Sequence, residues 1–195
     1  MFRKKLIVGV VLLVLVLIAL PFFFQYIQNR RGALLNDWVL NYLPAYDVSI
    51  PIFAIIWGIA GLTVFRAFRN PAMLLTLLWS YVLVTLTRMI TITTVALDPP
   101  ADLIELVDPI SNSFYGAEFV TRDLFFSGHT STVFLMYLCL RKRNDKALAL
   151  IGTILVGIML LVQHVHYTVD VLAAPLGTYI VYLLGKKIAG YQPNE

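Results

Sequence analysis

The chain has 195 residues, of which 59% are hydrophobic and only 13% charged, with a mean hydropathy of +0.82. Soluble domains carry about 25% charged residues, so a soluble globule or a disordered chain is excluded and a multi-pass membrane protein remains. The net charge of +4 is spread between apolar runs, where it reads as a topology signal rather than a nucleic-acid surface. The single cysteine, Cys139, lies inside an apolar run, which excludes a disulfide framework and a cysteine-based zinc site.

Taken in chain order, the apolar runs predict six membrane spans. The first is Leu6 to Phe24, preceded by Arg3, Lys4 and Lys5. A cleaved leader is the rival reading, but the run is long and ends in Pro21-Phe22-Phe23-Phe24-Gln25 rather than in small residues, which favours a retained span. The others run from about Val48 to Phe65, Ala72 to Leu97, Leu124 to Leu140, Ala147 to Val165 and Tyr167 to Gly185, each close to the length a hydrocarbon core of ~30 Å requires. No internal repeat or long linker divides the sequence, so residues 1–195 form one expected all-α domain. Six spans put Arg3, Lys4, Lys5, Arg66, Arg69, Arg141, Lys142, Arg143, Lys146, Lys186 and Lys187 on one side, 11 of 15 basic residues. The excess of positive charge on cytoplasmic loops then places both termini in the cytoplasm.

Against this apolar background each ionisable group near a span needs a reason. His129 opens the fourth span within Asp123-Leu-Phe-Phe-Ser127-Gly128-His129-Thr130, and His166 and Asp170 flank the junction of the fifth and sixth within His164-Val-His166-Tyr167-Thr168-Val-Asp170. Arg88 lies in the outer half of the third. Charge counting alone gathers these residues near the outer interface. The i, i+4 spacing of His166 and Asp170 predicts one helical face, and a carboxylate on one imidazole nitrogen makes the other a better nucleophile or base. His129 could serve as an acid. Gly128 permits close approach, Ser127 and Thr130 supply hydroxyls, and Arg88 and Arg122 are cations suited to a phosphate. Together they suit phosphoryl transfer through a phosphohistidine better than acyl transfer. Plainer readings stand beside these: a structural hydrogen bond for the His166–Asp170 pair, a satisfied polar residue for His164, and snorkelling or pairing with Asp98 for Arg88. Three histidines without a cysteine ligand make a metal site a weak alternative. Trp38, Tyr42 and Tyr46 are expected interfacial aromatics.

Three stretches resemble the type 2 phosphatidic acid phosphatase superfamily, and within it the sphingomyelin synthase-related branch: Arg88-Met-Ile-Thr-Ile-Thr-Thr, Asp123-Leu-Phe-Phe-Ser-Gly-His-Thr and His164-Val-His-Tyr-Thr-Val-Asp. The resemblance covers about Arg88 to Asp170 plus the six-span layout, with a catalytic core over about 88–188. It implies an enzyme acting on lipids without a metal or cofactor. By it His166 is the nucleophile, Asp170 orients it, His129 protonates the departing alkoxide and then activates the acceptor, and Asp123 bears on the acceptor hydroxyl. Phe126 stands where the phosphatase signature has Pro, and Met159-Leu160 where it has Ser-Arg, which favours the synthase-like branch and removes one expected phosphate-binding arginine. The chain is also shorter than the animal synthases, and its outer loop from Asp98 to Arg122 is compact, which suits a bacterial member. The expected reaction moves a phospho-head group from a phospholipid donor to a lipid acceptor, ceramide or a diacylglycerol-type lipid, at the outer leaflet. Hydrolysis by a lipid phosphate phosphatase is the nearest alternative, and a non-enzymatic membrane protein the more distant one.

Overall fold

A computed structural model describes residues 2–108 and 119–190. Residues 109–118, the middle of the loop between Asp98 and Arg122, lie outside the described residues. Among the described residues seven helices follow in order: α1 (Phe2–Gln28), α2 (Trp38–Tyr42), α3 (Ser49–Phe68), α4 (Pro71–Thr94), α5 (Gly128–Cys139), α6 (Arg143–Val162) and α7 (Thr168–Ala189). Five of them, α1, α3, α4, α6 and α7, are long and apolar enough to cross a membrane. Among the described residues no strand forms, and extended pairing is limited to a bridge between Ala33 and Leu97.

Local chemistry explains the helix boundaries. Asn70 caps α4, its side chain accepting from the Met73 amide at 3.1 Å with Pro71 at the first helical position, where a missing N–H costs nothing. At the far end of α7, Gly190 takes the left-handed conformation at φ 68° after Lys186 and Lys187 in the last turn, a cap that satisfies the final carbonyls and places cations at the negative end of the helix dipole. The α1 helix is apolar around most of its circumference and packs chiefly on α4, as expected of a helix whose remaining faces meet lipid.

The shortest of the apolar helices occupies the centre. α5 packs against α3, α4, α6 and α7, while α4 packs on α1, α3 and α7 as well. α4 and α7 approach so closely that a Cβ on Gly185 would collide with the backbone and hydroxyl of Ser80, the small-residue contact by which membrane helices gain packing. Val133, Val156 and Leu160 are fully buried where α5 meets α6.

Side-chain ties align the two ends of the bundle. At one end Arg66, in the last turn of α3, holds Asp145 near the start of α6 at 2.7 Å, Lys146 donates to the Tyr137 carbonyl near the end of α5, and Lys5 of α1 donates to the Ala189 carbonyl ending α7. The Arg3–Lys5, Arg66–Arg69, Arg141–Lys146 and Lys186–Lys187 clusters therefore share this end. At the other end Gln28 of α1 bonds Thr121, and the segment after α4 meets the α6–α7 corner.

The fourth expected span differs from the sequence reading. Leu124 to Leu140 reads as one apolar run, but the helix starts only at Gly128. Its 12 residues reach about 18 Å at ~1.5 Å per residue, short of the ~30 Å core. The reason lies in α4. Arg88 Nε donates to the Phe126 carbonyl at 2.8 Å and Thr91 Oγ1 to the Phe125 carbonyl at 3.0 Å, so these backbone groups are spent across the bundle instead of along a helix. Leu124 and Phe126 remain buried in non-helical backbone.

Candidate active site

Segment 124–127 ends at Ser127, and Ser127 is where the two histidine motifs join. Its amide donates to the Asp170 carbonyl at 3.1 Å, locking the start of α5 to the first turn of α7. Its hydroxyl accepts from the Thr130 amide at 3.4 Å, and its carbonyl accepts from the Ser131 hydroxyl at 2.6 Å. Ser127 is thus a fully buried helix cap, and its side chain works for α5 rather than for a ligand. His129, one residue into that helix, is half-buried, and its ring lies 6.3 Å from the His166 ring, centroid to centroid. Phe53 of α3 closes the opposite side with an edge-on contact at 5.9 Å.

His166 is not on a helix. It precedes α7, in the tight corner after α6, so the one-face helical argument for His166 and Asp170 is corrected: the corner itself brings them together. Asp170 Oδ2 accepts from the Tyr167 amide at 3.0 Å, which caps α7 and turns the carboxylate back toward the corner. His166 Nδ1 stands 3.5 Å from that oxygen, an electrostatic contact too long for a good hydrogen bond. Nδ1 of His129, Nδ1 of His166 and Oδ1 of Asp170 are buried and without a hydrogen-bond partner. Unsatisfied buried polar atoms cost about 1–3 kcal/mol each, and three of them gather around this one pair of rings.

The arginines divide. Arg88 Nη2 pairs with Asp123 at 2.7 Å, so the alternative pairing with Asp98 does not form. A Cβ on Gly128 would fall 2.5 Å from Arg88 Nη1. A side chain at this position would have to displace the guanidinium that lies on it, which puts a cation one residue from His129. Arg122 instead binds Asp98 at 2.8 Å and the Gln28 carbonyl ending α1 at 2.5 Å. It secures the junction of α1 with the post-α4 segment and is not brought to the histidines.

The supporting frame uses residues that pattern reading passes over. Asp37 caps two helices at once, accepting from the Val39 and Leu40 amides of α2 and from the Thr168 amide (2.6 Å) and hydroxyl (3.0 Å) of α7. Burial pushes its carboxyl upward, but the Thr168 bonds and the α2 amides outweigh this and hold it below the usual carboxylate range. Tyr167 donates its hydroxyl to the Asp98 carbonyl at 2.9 Å. Gln163, fully buried at the end of α6, bonds Ser49 (2.8 Å), the Glu105 carbonyl (3.0 Å) and the Val48 amide (3.1 Å). His164 has both ring nitrogens on carbonyl oxygens, Nδ1 at 3.1 Å from Ala101 and Nε2 at 2.8 Å from Leu43; it is the satisfied polar residue that the sequence allowed.

One further carboxylate belongs to this neighbourhood and was not singled out by any motif. Asp108 is 5% exposed and accepts from Trp57 Nε1 at 3.3 Å. An isolated aspartate in the connection between α4 and α5 carries no spacing signal, so sequence reading had no means to find it. Among the described residues no three His, Cys, Asp or Glu side chains converge as metal ligands would.

No curated protein matches the chain. Residues 122–187 match the family model described as PAP2 superfamily C-terminal, a span that contains His129, His166 and Asp170 and ends within α7, and this match supports the PAP2 superfamily for the chain.

Proposed function

We propose that this protein is a membrane-embedded lipid phosphotransferase of the sphingomyelin synthase-like kind. The observation that carries the reading is the pair of facing imidazoles, 6.3 Å apart, with a carboxylate behind one and a guanidinium beside the other. His166 attacks phosphorus through Nε2, because Nδ1 faces Asp170, and the bond from phosphorus to the diacylglycerol oxygen breaks. His129 gives that oxygen its proton, so diacylglycerol leaves neutral and the phospho-head group stays on His166. In the second half-reaction the acceptor hydroxyl gives its proton to the now neutral His129 and attacks phosphorus, and the P–N bond returns its electrons to His166. Asp170 balances the imidazolium that forms on His166. Arg88 offers Nη1 to a phosphoryl oxygen and holds Asp123 in reach of the acceptor.

The same end of the bundle carries the site and lacks the basic clusters, which supports both termini in the cytoplasm and a site facing the outer leaflet. On this reading α5, with the segment before it, acts as the sixth crossing of a bacterial cell membrane. Water in place of the lipid acceptor would make the second step a hydrolysis. Lipid mass spectrometry of purified protein with labelled phospholipid, with and without ceramide or diacylglycerol, separates the outcomes. A new phospho-head-group lipid supports the transferase, released phospho-head group the hydrolase, and absence of turnover overturns the enzymatic reading.

A further inference from the structure

We infer that residues 33–48 form an in-plane membrane element, whose outward face binds the glycerol and carbonyl region of phospholipids in the leaflet beside the histidines. The inference goes beyond the reaction proposed above and needs no catalytic role for any residue.

Residues 33–48, between α1 and α3, contain no Lys, Arg or Glu. The carboxylates and side-chain amides they do contain are engaged within the protein. Asp37 accepts from the Thr168 amide and hydroxyl, Asp47 from the Ser49 amide and hydroxyl at 3.0 and 2.7 Å, and Asn36 from the Asn41 side chain at 3.0 Å. What remains outward is apolar or aromatic. Leu34, Trp38, Tyr42 and Tyr46 recur every fourth residue, with Ile50 of α3 next in the series, and each is at least 62% exposed. A contiguous series of large exposed side chains of this kind marks an interaction surface.

The ties of the opposite face fix the depth of this surface. The Ala33 amide donates to the Ala96 carbonyl just past α4 at 2.9 Å, and the Tyr46 amide to the Val162 carbonyl ending α6 at 3.1 Å. The segment therefore lies level with the ends of α4 and α6 and the start of α3, three helices long and apolar enough to cross a membrane. An outward side chain at that level meets the boundary between hydrocarbon and water. Trp and Tyr, each an apolar ring with a polar tip, concentrate in that zone. The lack of Lys and Arg leaves the face no cation for an anionic head group, so its contact is with the glycerol and carbonyl layer. The amides of Ala33, Leu35, Leu43, Tyr46 and Val48 all donate within the protein, which a loop in water does not need and a backbone at the edge of lipid does. Ile50 lies in the first turn of α3, so the surface runs directly into a membrane-spanning helix. Asp37 binds Thr168 and the Leu43 carbonyl binds His164. The element thereby also sets how deep the corner carrying His166 sits in the leaflet.

The test locates Trp38 by fluorescence. Trp57→Phe combined with Trp79→Phe leaves it as the one tryptophan of the sequence, and the full chain is placed in phosphatidylcholine nanodiscs. The lipid carries bromine either near the top of its acyl chains or near their methyl ends, and iodide is added from the water. Quenching by the upper bromines should be about 2-fold stronger than by the lower ones, as for an in-plane element buried at the boundary, and iodide should quench far less than it quenches free tryptophan. Trp38 open to iodide and indifferent to bromine would put the face in water. Shielding from every quencher would put it against protein, a second copy included, and equal or stronger quenching by the lower bromines would put it in the hydrocarbon centre. Each of these three results overturns the inference. If the double variant lacks a folding transition in detergent, a nitroxide attached to Tyr42→Cys in a Cys139→Ser background carries the same test. Collision with both dissolved oxygen and a water-soluble nickel complex supports the element, and collision with only one of them, or with neither, overturns it. Neither readout involves turnover, so failure here is separate from failure of the phosphohistidine reading.

Discussion

Two histidines separated by a single residue at the α6–α7 corner meet opposite surroundings. His164 lies at the left-handed position that ends α6, with φ 54°. Its amide donates to the Leu161 carbonyl and the Val165 amide to the Leu160 carbonyl, both at 3.0 Å, the paired bonds that close a helix when glycine usually occupies this place. A side chain there costs on the order of 1 kcal/mol, and the ring offsets that cost by binding the Leu43 and Ala101 carbonyls. His166 makes no such bonds. It faces Asp170 at 3.5 Å and the His129 ring at 6.3 Å, with its Nδ1 unpartnered. The same residue type therefore serves the fold where carbonyls surround it, and keeps an unpartnered ring nitrogen where a carboxylate and a second imidazole do.

The strongest way to break this contrast is to remove each ring in turn. His166→Ala should cut turnover by at least ~10⁴-fold, the scale seen when a nucleophile is deleted, and abolish any phosphorylated intermediate trapped by acid-free quenching and mass spectrometry. Substantial residual turnover would dismiss His166 as the nucleophile. His129→Ala should follow at ~10²–10⁴-fold for an alkoxide leaving group, and much less for an aryl one.

His164 variants should move stability instead of chemistry. His164→Ala removes the ring that stands against the Leu43 and Ala101 carbonyls and should lower the unfolding free energy in detergent by about 1–3 kcal/mol. His164→Gly loses the same bonds but relieves the left-handed backbone, so it should be more stable than the alanine variant by about 1 kcal/mol. Equal stability of the two would show that the φ 54° position carries no strain.

The smallest effect is expected at the junction of α1. The Arg122 guanidinium beside Asp98 holds its carboxyl below the usual range, with burial opposing and the Gly32 amide assisting. A carboxyl lowered in the folded state contributes stability above its unfolded pKa and loses it as pH falls through the folded value. Arg122→Gln should cost roughly 0–1 kcal/mol at neutral pH and flatten the loss of thermal stability on acidification below pH ~4, where free Asp titrates. Unchanged acid sensitivity in this variant would remove the pair from the stability account. A loss of turnover beyond that of the folded fraction would instead return Arg122 to the phosphate.

The site residues were legible to unequal degrees. His129, His166 and Asp170 stand out because ionisable side chains are rare in this sequence, and rarity in an apolar background is information. Their grouping at one end followed from counting lysines and arginines. Ser127 and Gly128 stand out through the motif, and the structure gives each a local duty: one caps α5, and the other lets Arg88 approach closely. Asp108 and the Gln163 hub were silent, since a lone polar residue in a loop has no period and no spacing to read.

What the sequence by itself determined is the apolar character of the chain, the long helices α1, α3, α4, α6 and α7, and the end of the bundle that collects basic residues. Each of these follows from the local run of residues, because burial of apolar side chains and satisfaction of backbone groups within a helix need no distant partner. Only the tertiary structure decided that the fourth run breaks into a non-helical segment and a 12-residue α5, that Arg88 chooses Asp123 over Asp98, and that His166 approaches Asp170 from a corner and not along a helix. Those outcomes depend on donors and acceptors dozens of residues apart in the chain, such as Arg88 and the Phe126 carbonyl, competing for the same backbone and carboxylate oxygens. That competition is resolved by packing of the helices, and no local pattern records it.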